Sequence, residues 1–331
     1  MLAGGAIASI SSNVTIKESR PFEGNCAEAG EAILSELHSN ITIINTTFKG
    51  INAIHDSCQS FGGVLYTDSG CNMAIHDSQF TNNKAYKGGV VYAKGDVNII
   101  IIHSYFVNSA VGGNYGGAVY AERNVKVVIT DSQFINSSAL GTNYFGGLVK
   151  AQGYVNITIA HSQFINNNVS FGAVLNLDYG AIATITHSQF TNNSALVLQT
   201  LALPDCYGVV CASDADIDIT NSEFVNNSVR GSGGGGVVFT NGTVKVTITH
   251  SQFVNNSALT DGSRIRYAFI DKTSVINNVG GGVVYAENRL TYSLFINNTA
   301  QFNGGVLWLH RVGEVIVISH TTELVMENLY I

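Results

Sequence analysis

The chain repeats one short unit along its length, and this repeat constrains the fold more than any other feature of the sequence. Each unit has a Gly-Gly-Val-Val-Tyr-Ala-like segment, about ten further residues, and a Ser-Gln-Phe-x-Asn-Asn-Ser-like segment. The distance from the second glycine to the phenylalanine is constant: Gly89 to Phe106 and Gly117 to Phe134 are both seventeen residues. A repeat of this length predicts a solenoid, in which each unit packs mainly on its neighbours.

One column of the repeat is phenylalanine, with a mean spacing of about 27 residues. Its members are Phe22, Phe48, Phe80, Phe106, Phe134, Phe164, Phe190, Phe224, Phe253 and Phe295, with Val275 filling one further unit. We expect this column to stack inside the solenoid. The asparagine three residues later is expected to form a ladder at a corner, interrupted by Ser109 and Ser137.

Apolar and polar residues alternate in the constant half of the unit, as in Val244, Val246 and Ile248 with their polar neighbours. Alternation of β-branched residues is typical of strands. The chain also has two prolines and no segment with a sustained helical period. These patterns predict an all-β chain, a single parallel β-helix (β-solenoid) of about twelve coils of about 27 residues with about three faces. At strand spacing, the rod would be about 55–60 Å long.

Two motifs resemble the repeats of the polymorphic membrane proteins of chlamydiae. They are Gly116-Gly117-Ala118-Val119, which also occurs as Gly4-Gly5-Ala6-Ile7, and Phe80-Thr81-Asn82-Asn83. The resemblance covers nearly the whole chain. It implies a right-handed β-helix that is exposed at the cell surface and often serves adhesion.

The unbroken repeat predicts one continuous solenoid domain over residues 1–331. The repeat is in register at both ends of the sequence, without the polar caps that solenoids usually carry. This pattern favours either a fragment of a longer protein or a unit that stacks head to tail on copies of itself, because an uncapped end is an exposed sheet edge. No apolar run is long enough to span a membrane.

The charge and composition of the chain limit the classes of molecule that it is expected to bind. Only 12% of the residues are charged and the net charge is −7, without a basic run, which disfavours nucleic acid. Asn-x-Ser/Thr sequons predict N-glycosylation along the rod, although the same asparagines also suit turns. The candidates are Asn13, Asn40, Asn45, Asn136, Asn156, Asn168, Asn192, Asn226, Asn241, Asn255 and Asn297. We expect an extracellular or cell-surface location.

Five cysteines are present. Cys206 and Cys211 are close enough in sequence to bridge the insertion between them, and Cys58 and Cys71 flank a turn and form a second candidate pair. Cys26 is then left over, or pairs with Cys58 or Cys71. Buried free thiols are the alternative.

An aromatic column follows the glycine pair by three residues. Its aromatic members are Tyr66, Tyr92, Tyr120, Phe239, Tyr285 and Trp308. Because Lys150 and Asn176 stand in the same column, we expect it to face outward, as a ladder for a glycan or for lateral contact with another rod. Ordinary tyrosine stacking on a strand face is the alternative.

Two sets of polar residues are candidates for chemical sites. The column three residues before the phenylalanine contains Asp77, His103, Asp131, His161, His187, Asn221 and His250, and the interchange of residue types favours a polar corner over a metal site. The acids Asp205, Asp214, Asp216 and Asp218 form the best carboxylate cluster. Polysaccharide cleavage needs two or three carboxylates on one face, and the expected coil neighbours of Asp216 and Asp218 are not acidic. A weak calcium site remains an alternative reading of the cluster.

The sequence therefore predicts a non-enzymatic extracellular structural β-solenoid that forms filaments or a surface layer by end-to-end stacking of copies and carries N-glycans. No cofactor and no catalytic residues are expected. The alternative is a cell-surface adhesin that binds a glycan or another surface ligand, and a polysaccharide lyase or hydrolase ranks third.

Overall fold

The computed structural model describes residues 5–23, 30, 32–55, 58–59, 63–88, 90–115, 117–139, 146–170, 172–197, 208–231, 236–241, 245–260, 269–270, 274–275, 284–296, 298–300, 307–310 and 315–320. Within these ranges the chain forms strands, turns and bends and no helix, so they contain no helix that could cross a membrane.

Each coil contributes strands to four parallel stacks, which we number in chain order within the coil. In one coil these are Val91–Lys94 (first stack), Asn98–Ile102 (second), Tyr105–Val107 (third) and Ala110–Tyr115 (fourth). A strand pairs with the strand of the same stack in the next coil, as Val91–Lys94 does with Val119–Glu122. The predicted fold class, an all-β parallel solenoid, is confirmed, with four strands per coil rather than three.

The first stack contains Ile7–Ile10, Ile33–Glu36, Leu65–Asp68, Val91–Lys94, Val119–Glu122, Gly146–Gln152, Gly172–Asp178, Gly208–Ser213, Gly236–Asn241 and Leu307–His310. The second contains Asn13–Lys17, Asn40–Ile44, Asn72–His76, Asn98–Ile102, Lys126–Thr130, Asn156–Ala160, Ile182–Thr186, Asp216–Thr220, Val246–Thr249 and Val315–His320.

The third stack contains Phe22–Glu23, Thr47–Lys49, Gln79–Thr81, Tyr105–Val107, Gln133–Ile135, Gln163–Ile165, Gln189–Thr191, Glu223–Val225 and Gln252–Val254. The fourth contains Asn52–His55, Lys84–Lys87, Ala110–Tyr115, Ser138–Ala139, Asn168–Ser170, Ser194–Val197, Ser228–Gly231, Ser257–Thr260 and Thr299–Ala300. The long strand Val284–Ile296 joins the first three stacks, and Cys58–Gln59 pairs antiparallel with Asn52–His55.

Among the described residues the first and second stacks each have eleven levels, ten separate strands and Val284–Ile296, so the number of coils is slightly lower than the predicted twelve or so. Phe253 pairs directly with Phe295, and Val275 lies instead in the strand Ser274–Val275, which pairs antiparallel with Phe269–Ile270. The phenylalanine column of the described residues therefore has ten levels, nine third-stack strands and Val284–Ile296 as the tenth. Division of the chain length by the repeat overcounted, because a long insertion occupies the length of a coil.

The phenylalanine column forms the core as predicted. From Phe22 to Phe253 the rings stack face to face, with centroids 4.6–5.0 Å apart. This distance equals the spacing of strands in a sheet, about 4.8 Å, so each ring follows the backbone of its own coil. Valine, leucine and isoleucine side chains of the first and second stacks complete the same core.

A serine ladder runs beside the phenylalanine column. The Oγ of each serine accepts a hydrogen bond from the backbone N–H of the equivalent residue in the previous coil at 3.1–3.2 Å, and the same hydroxyl donates to a carbonyl two residues earlier in its own chain. The ladder contains Ser78, Ser104, Ser132, Ser162, Ser188, Ser222 and Ser251. It satisfies buried N–H groups at a corner where the strand ladder is interrupted.

The asparagine ladder lies at the next corner and is buried. The Asn193 side chain accepts from the Asn167 N–H and donates to the Phe164 carbonyl, so it ties its own coil to the previous one at two points. Ser109 and Ser137 replace asparagine in two coils. The Ser137 Oγ still accepts from the Ser109 N–H, whereas the Ser109 hydroxyl is buried without a hydrogen-bond partner. Asn256 bonds directly to Asn298, across the insertion.

Candidate functional site

The tyrosine column is buried, and the prediction that it faces solvent is wrong. Tyr66, Tyr92 and Tyr120 form a cluster with Leu34, and Tyr92 is only 3% exposed. The Tyr92 and Tyr120 rings stack at 5.0 Å, and Tyr66 meets Tyr92 edge to face at 5.4 Å. The column belongs to a cluster separate from the main core, on the other face of the first stack.

The tyrosine hydroxyls bond to acceptors at the end of the first stack. Tyr66 donates to Asp68, Tyr92 to Glu122 and Tyr120 to Gln152. Burial, and then the Asp68 carboxylate, raise the pKa of Tyr66 above its usual value. Burial, and then Glu122, likewise raise the pKa of Tyr92. These rings therefore stabilise the stack and present no stacking surface to a ligand.

Lys150 and Asn176 misled the sequence reasoning, because both are buried although lysine and asparagine usually mark a solvent face. Lys150 is 1% exposed and contacts Asp178 and Asn176 of the next coil. A buried charge is tolerated when it is paired in this way. Residue type alone could not show that a partner lies two residues further along in the next coil.

The remaining members of the column are less fully described. Phe239 is half-buried and packs against Ala173 and Cys211. The register pairs Tyr285 with Trp308, and the side chains of these two residues lie outside the described residues.

The cysteines differ in part from the predicted pairs. Cys71 is a buried free thiol that donates to the Asp68 carbonyl, so the Cys58–Cys71 disulfide is wrong. The serine-like bond to a turn carbonyl explains a cysteine at this position without a disulfide. Cys211 is disulfide-bonded, and its predicted partner Cys206 lies outside the described residues, as does Cys26.

The glycosylation candidates occupy exposed strand starts and corners. Asn13, Asn40 and Asn156 begin second-stack strands and Asn168 begins a fourth-stack strand. Asn45 lies at the corner between the second and third stacks, and four more lie at a corner after the phenylalanine. These four are Asn136, Asn192, Asn226 and Asn255, all exposed and all with φ between 51 and 54°. Asparagine tolerates this left-handed conformation. The Asn241 side chain and Asn297 lie outside the described residues.

The histidine and aspartate column is an exposed corner. Its residues have positive φ, for example 48° at His103 and 49° at His187, which explains why Asp, Asn and His interchange. His103 lies 3.8 Å from both Asp77 and Asp131, and the His161 and His187 rings stack at 4.9 Å. Exposed pairs of this kind contribute little, about 0–1 kcal/mol.

The acidic cluster does not assemble a catalytic pair within the described part of the chain. Asp216 and Asp218 point outward, opposite Ile182 and Thr184 of the previous coil, and Asp216 accepts a hydrogen bond from the Lys245 N–H at 2.9 Å. Asp214 is an exposed corner residue, and Asp205 lies outside the described residues. No group of three His, Cys, Asp or Glu side chains among the described residues could hold a metal ion.

A different pair of tyrosines forms the most exposed aromatic surface of the described residues. Tyr154 is 78% exposed and Tyr179 is 62% exposed, on consecutive coils at the corner between the first and second stacks. Both have a left-handed backbone, φ 52° and 51°, which is unfavourable for a bulky side chain. The Tyr154 ring lies beside Gly180, where an added Cβ would make an ordinary contact of 3.4 Å with it, and the left-handed φ of 79° is what favours glycine there. We call Tyr154 and Tyr179 the corner tyrosines.

Sequence reasoning missed the corner tyrosines. They lie beside glycines, in Gly153-Tyr154 and Tyr179-Gly180, outside the columns that the repeat makes visible. The available signal was the exchange of the usual small or polar corner residue for tyrosine in two coils. Half-exposed Ile182 and exposed Asp214 and Asp216 lie in the adjoining strands and corner, so the surface combines aromatic, apolar and acidic groups.

The described residues thus define a parallel β-solenoid with a polar outer surface and without a convergent catalytic group in those residues. The chain belongs to the right-handed β-helix family, whose profile matches residues 103–268. Residues 77–94 match the Chlamydia polymorphic membrane protein repeat, which confirms the resemblance drawn from the Gly-Gly-Ala and Phe-x-x-Asn motifs. Neither curated proteins nor solved structures gave a match to the chain.

Proposed function

We propose that this repeat protein is a non-enzymatic structural β-solenoid at the cell surface or outside the cell. The match of residues 77–94 to a surface-protein repeat and the low content of charge support this location. The continuous phenylalanine and serine ladders, together with the asparagine ladder, support a structural role, because they use the repeated residues to hold coil on coil.

The assembly part of the proposal is end-to-end stacking of copies into filaments or a layer. The observation that carries it is the self-complementarity of the coils: the same serine bond recurs at 3.1–3.2 Å between every pair of coils from Ser78 to Ser251. One coil face therefore fits the opposite face of any other coil. In a solenoid the backbone hydrogen bonds run along the axis, so an unpaired coil can add a further copy.

Electron microscopy of the purified chain at increasing concentration tests this proposal. We expect rods that join end to end into filaments. Replacement of the corner tyrosines by alanine should leave the filaments unchanged, since it alters the lateral surface only. Separate rods at every concentration would contradict end-to-end assembly, and filaments lost with the corner tyrosines would show lateral assembly instead.

N-glycosylation of the exposed sequons is part of the same proposal. Nine of the predicted asparagines are exposed, so their side chains are accessible to a transferase. Glycans would supply hydration to a surface that carries few charges.

A second function, saccharide binding, is favoured by the corner tyrosines. Exposed aromatic rings stack on the apolar faces of sugar rings, and carboxylates such as Asp214 and Asp216 accept hydrogen bonds from sugar hydroxyls. Both tyrosines keep a left-handed backbone that is unfavourable for a bulky side chain, and neither ring contributes to the described core.

A glycan array with the labelled chain tests saccharide binding. Tyr154→Ala and Tyr179→Ala together should abolish any signal. Tyr105→Ala is the matched control, because Tyr105 is also exposed, at 45%, but lies on the third stack away from this corner. Binding that survives the double replacement, or that is lost equally in the control, would contradict this second function.

A further inference from the structure

Three side chains that can react with one another meet where the tyrosine column ends. Lys150 lies in Gly146–Gln152, and Asn176 and Asp178 lie in the neighbouring strand Gly172–Asp178. Lys150 is the direct register partner of Asn176, and Gln152 is that of Asp178. The register therefore brings an amine, a carboxamide and a carboxylate together across two consecutive coils.

The contacts are close and lie out of solvent. The Lys150 Nζ donates to the Asn176 Oδ1 at 3.0 Å and forms a short contact with the Asp178 Oδ2. Lys150, Asn176 and Asp178 are all buried. The carboxamide carbon of Asn176 is one C=O bond, about 1.23 Å, beyond the Oδ1, so the Nζ is at most about 4.2 Å from it. A small shift of the lysine side chain brings the two atoms to the distance of about 3–3.5 Å at which reacting atoms are poised.

We propose that Lys150 and Asn176 form an intramolecular isopeptide bond, with Asp178 as the proton carrier. The Asp178 carboxylate first takes a proton from the Lys150 ammonium, and the neutral Nζ attacks the Asn176 Cγ. The Nζ–Cγ bond forms and the Cγ–Nδ2 bond breaks. Asp178 passes its proton to the leaving nitrogen and becomes a carboxylate again. The attacking nitrogen also gives up a second proton, and with both protons the leaving group departs as ammonium. No oxidant or cofactor is needed.

Contact and burial both favour the reaction. The short contact between the Lys150 Nζ and the Asp178 Oδ2 gives the first proton a direct path from the amine to the carboxylate. Exclusion of water also protects the carboxamide from hydrolysis. Gly147 leaves room for the acceptor, because a Cβ at this position would lie 2.9 Å from the Asn176 Cβ and would displace it.

Lys150 stands in this column where the preceding coils have tyrosine, and the change is difficult to explain by packing alone. The three preceding coils place Tyr66, Tyr92 and Tyr120 here, and these fill the space with stacked or edge-on rings. A buried lysine costs free energy that a tyrosine does not, even when it is paired. In the coils of Lys150 and Asn176, stacked rings are absent from this column. Their place is taken by groups that, with Asp178, can form a covalent bond between the two coils.

Peptide mapping of the folded chain tests the bond directly. Trypsin does not cut after an acylated lysine, so the sequence around Lys150 should remain joined to the residues that follow it. Chymotrypsin then cuts at aromatic residues between Lys150 and Asn176, such as Phe164, and should leave a branched peptide that contains both. The branched peptide should weigh one ammonia less than the sum of its two parts.

Two variants isolate the chemistry from the fold. Lys150→Arg keeps the cation but has no amine of the required kind, and Asp178→Asn keeps both reacting groups but removes the proton carrier. Both should fold, as judged by circular dichroism, and lack the branched peptide. Lys245→Arg, at an exposed lysine beside Asp216, is the matched control and should retain it.

Intact mass alone does not decide the question, because succinimide formation at Asn241-Gly242 also releases ammonia. That loss would persist in Lys150→Arg, whereas the isopeptide would not form. Normal cleavage after Lys150 in the folded wild-type chain would overturn the proposal. A branch to Asp178 with loss of water would equally overturn it, since the acceptor would then be the carboxyl group.

Discussion

At the scale of single residues, the serine ladder supplies one buried side-chain acceptor to a backbone N–H in each of several consecutive coils. The Ser162 Oγ accepts from the Ser132 N–H at 3.2 Å and donates to the Ala160 carbonyl at 2.8 Å. The Ala160 carbonyl also accepts from Asp131, but the N–H of Ser132 has no other acceptor among the hydrogen bonds of the described residues. Loss of this hydroxyl therefore leaves a buried donor unsatisfied.

Ser162→Ala is expected to lower the free energy of unfolding by about 1–3 kcal/mol, the usual cost of an orphaned buried group. Urea denaturation followed by circular dichroism measures it. Ser213→Ala is the control, because the Ser213 side chain is partly exposed and makes no hydrogen bond with the described residues, and it should change stability by less than about 0.5 kcal/mol. Equal effects of the two substitutions would show that the ladder adds nothing.

Ionisation of the buried tyrosines predicts a loss of stability in alkali. The raised pKa of Tyr92 means that the folded chain holds the phenol proton more tightly than the unfolded chain does. The resulting stabilisation is present below pH about 10, the ordinary tyrosine pKa, and falls as the pH rises above it. Unfolding by urea at a series of alkaline pH values should show this decline, and Tyr92→Phe should make it shallower. Parallel pH profiles for the two proteins would refute the assignment.

The same column shows where residue-level prediction fails. A lysine or asparagine at a column position normally marks solvent, and here Lys150 and Asn176 are buried because Asp178 of the next coil pairs with Lys150. The partner follows from the coil register, which the sequence repeat did predict. The burial of these side chains depends on the residues that cover the outer face of the first stack, and no pattern in the repeat predicts that cover.

At the scale of elements, the third stack depends on its rings. Phe164 stacks on Phe134 at 4.8 Å and on Phe190 at 4.7 Å. Phe164→Ala should cost about 3–5 kcal/mol, since it removes both contacts and leaves a cavity in a close-packed core. Hydrogen exchange should show the loss of protection first in the coils of these three residues, because a solenoid is stabilised by contacts between neighbouring coils.

Tyr105→Ala tests whether this effect belongs to the core. Tyr105 is on the same stack, but its ring is exposed, so a much smaller change in stability is expected. A uniform loss of exchange protection along the whole rod after Phe164→Ala would mean that the coils unfold as one unit and would contradict the nearest-neighbour account.

The stacks themselves were the most predictable elements. Alternation predicted that Val127 and Ile129 are the buried side chains of their strand. The constant spacing of seventeen residues predicted the register that pairs Phe106 with Phe134. The two corners were harder, because the serine and asparagine ladders and the left-handed His103 column depend on backbone geometry. Their repeated residue types marked them as special without revealing which groups they bond.

At the scale of the whole molecule, the repeat determined the fold class but not the length of the stack. A family profile and the parallel registers confirm a right-handed β-helix. The direct pairing of Phe253 with Phe295 shows why coil counting failed, since the intervening segment adds length without adding a level to the phenylalanine column. Insertions of this kind obey no repeat, so only tertiary contacts identify them.

We expect the coil spacing to limit how many neighbouring sequons can carry a glycan at the same time. Asn192, Asn226 and Asn255 lie on consecutive coils at one corner, as shown by the bonds from Asn192 N–H to the Val225 carbonyl and from Asn226 N–H to the Val254 carbonyl. Consecutive coils are about 4.8 Å apart. A branched glycan is wider than this spacing, so a glycan on Asn226 should exclude glycans from both neighbours on the same chain.

Glycopeptide mass spectrometry of the chain secreted from a glycosylating host measures this exclusion. Asn226→Gln should raise the occupancy of Asn192 and Asn255, because the competing glycan between them is absent. Asn136→Gln is the control, since Asn136 shares the corner but lies two coils before Asn192, and it should leave the other sites unchanged. Full occupancy of Asn192, Asn226 and Asn255 on one chain would be incompatible with a parallel stack at this spacing. The pattern of glycan occupancy therefore tests the coil spacing in solution.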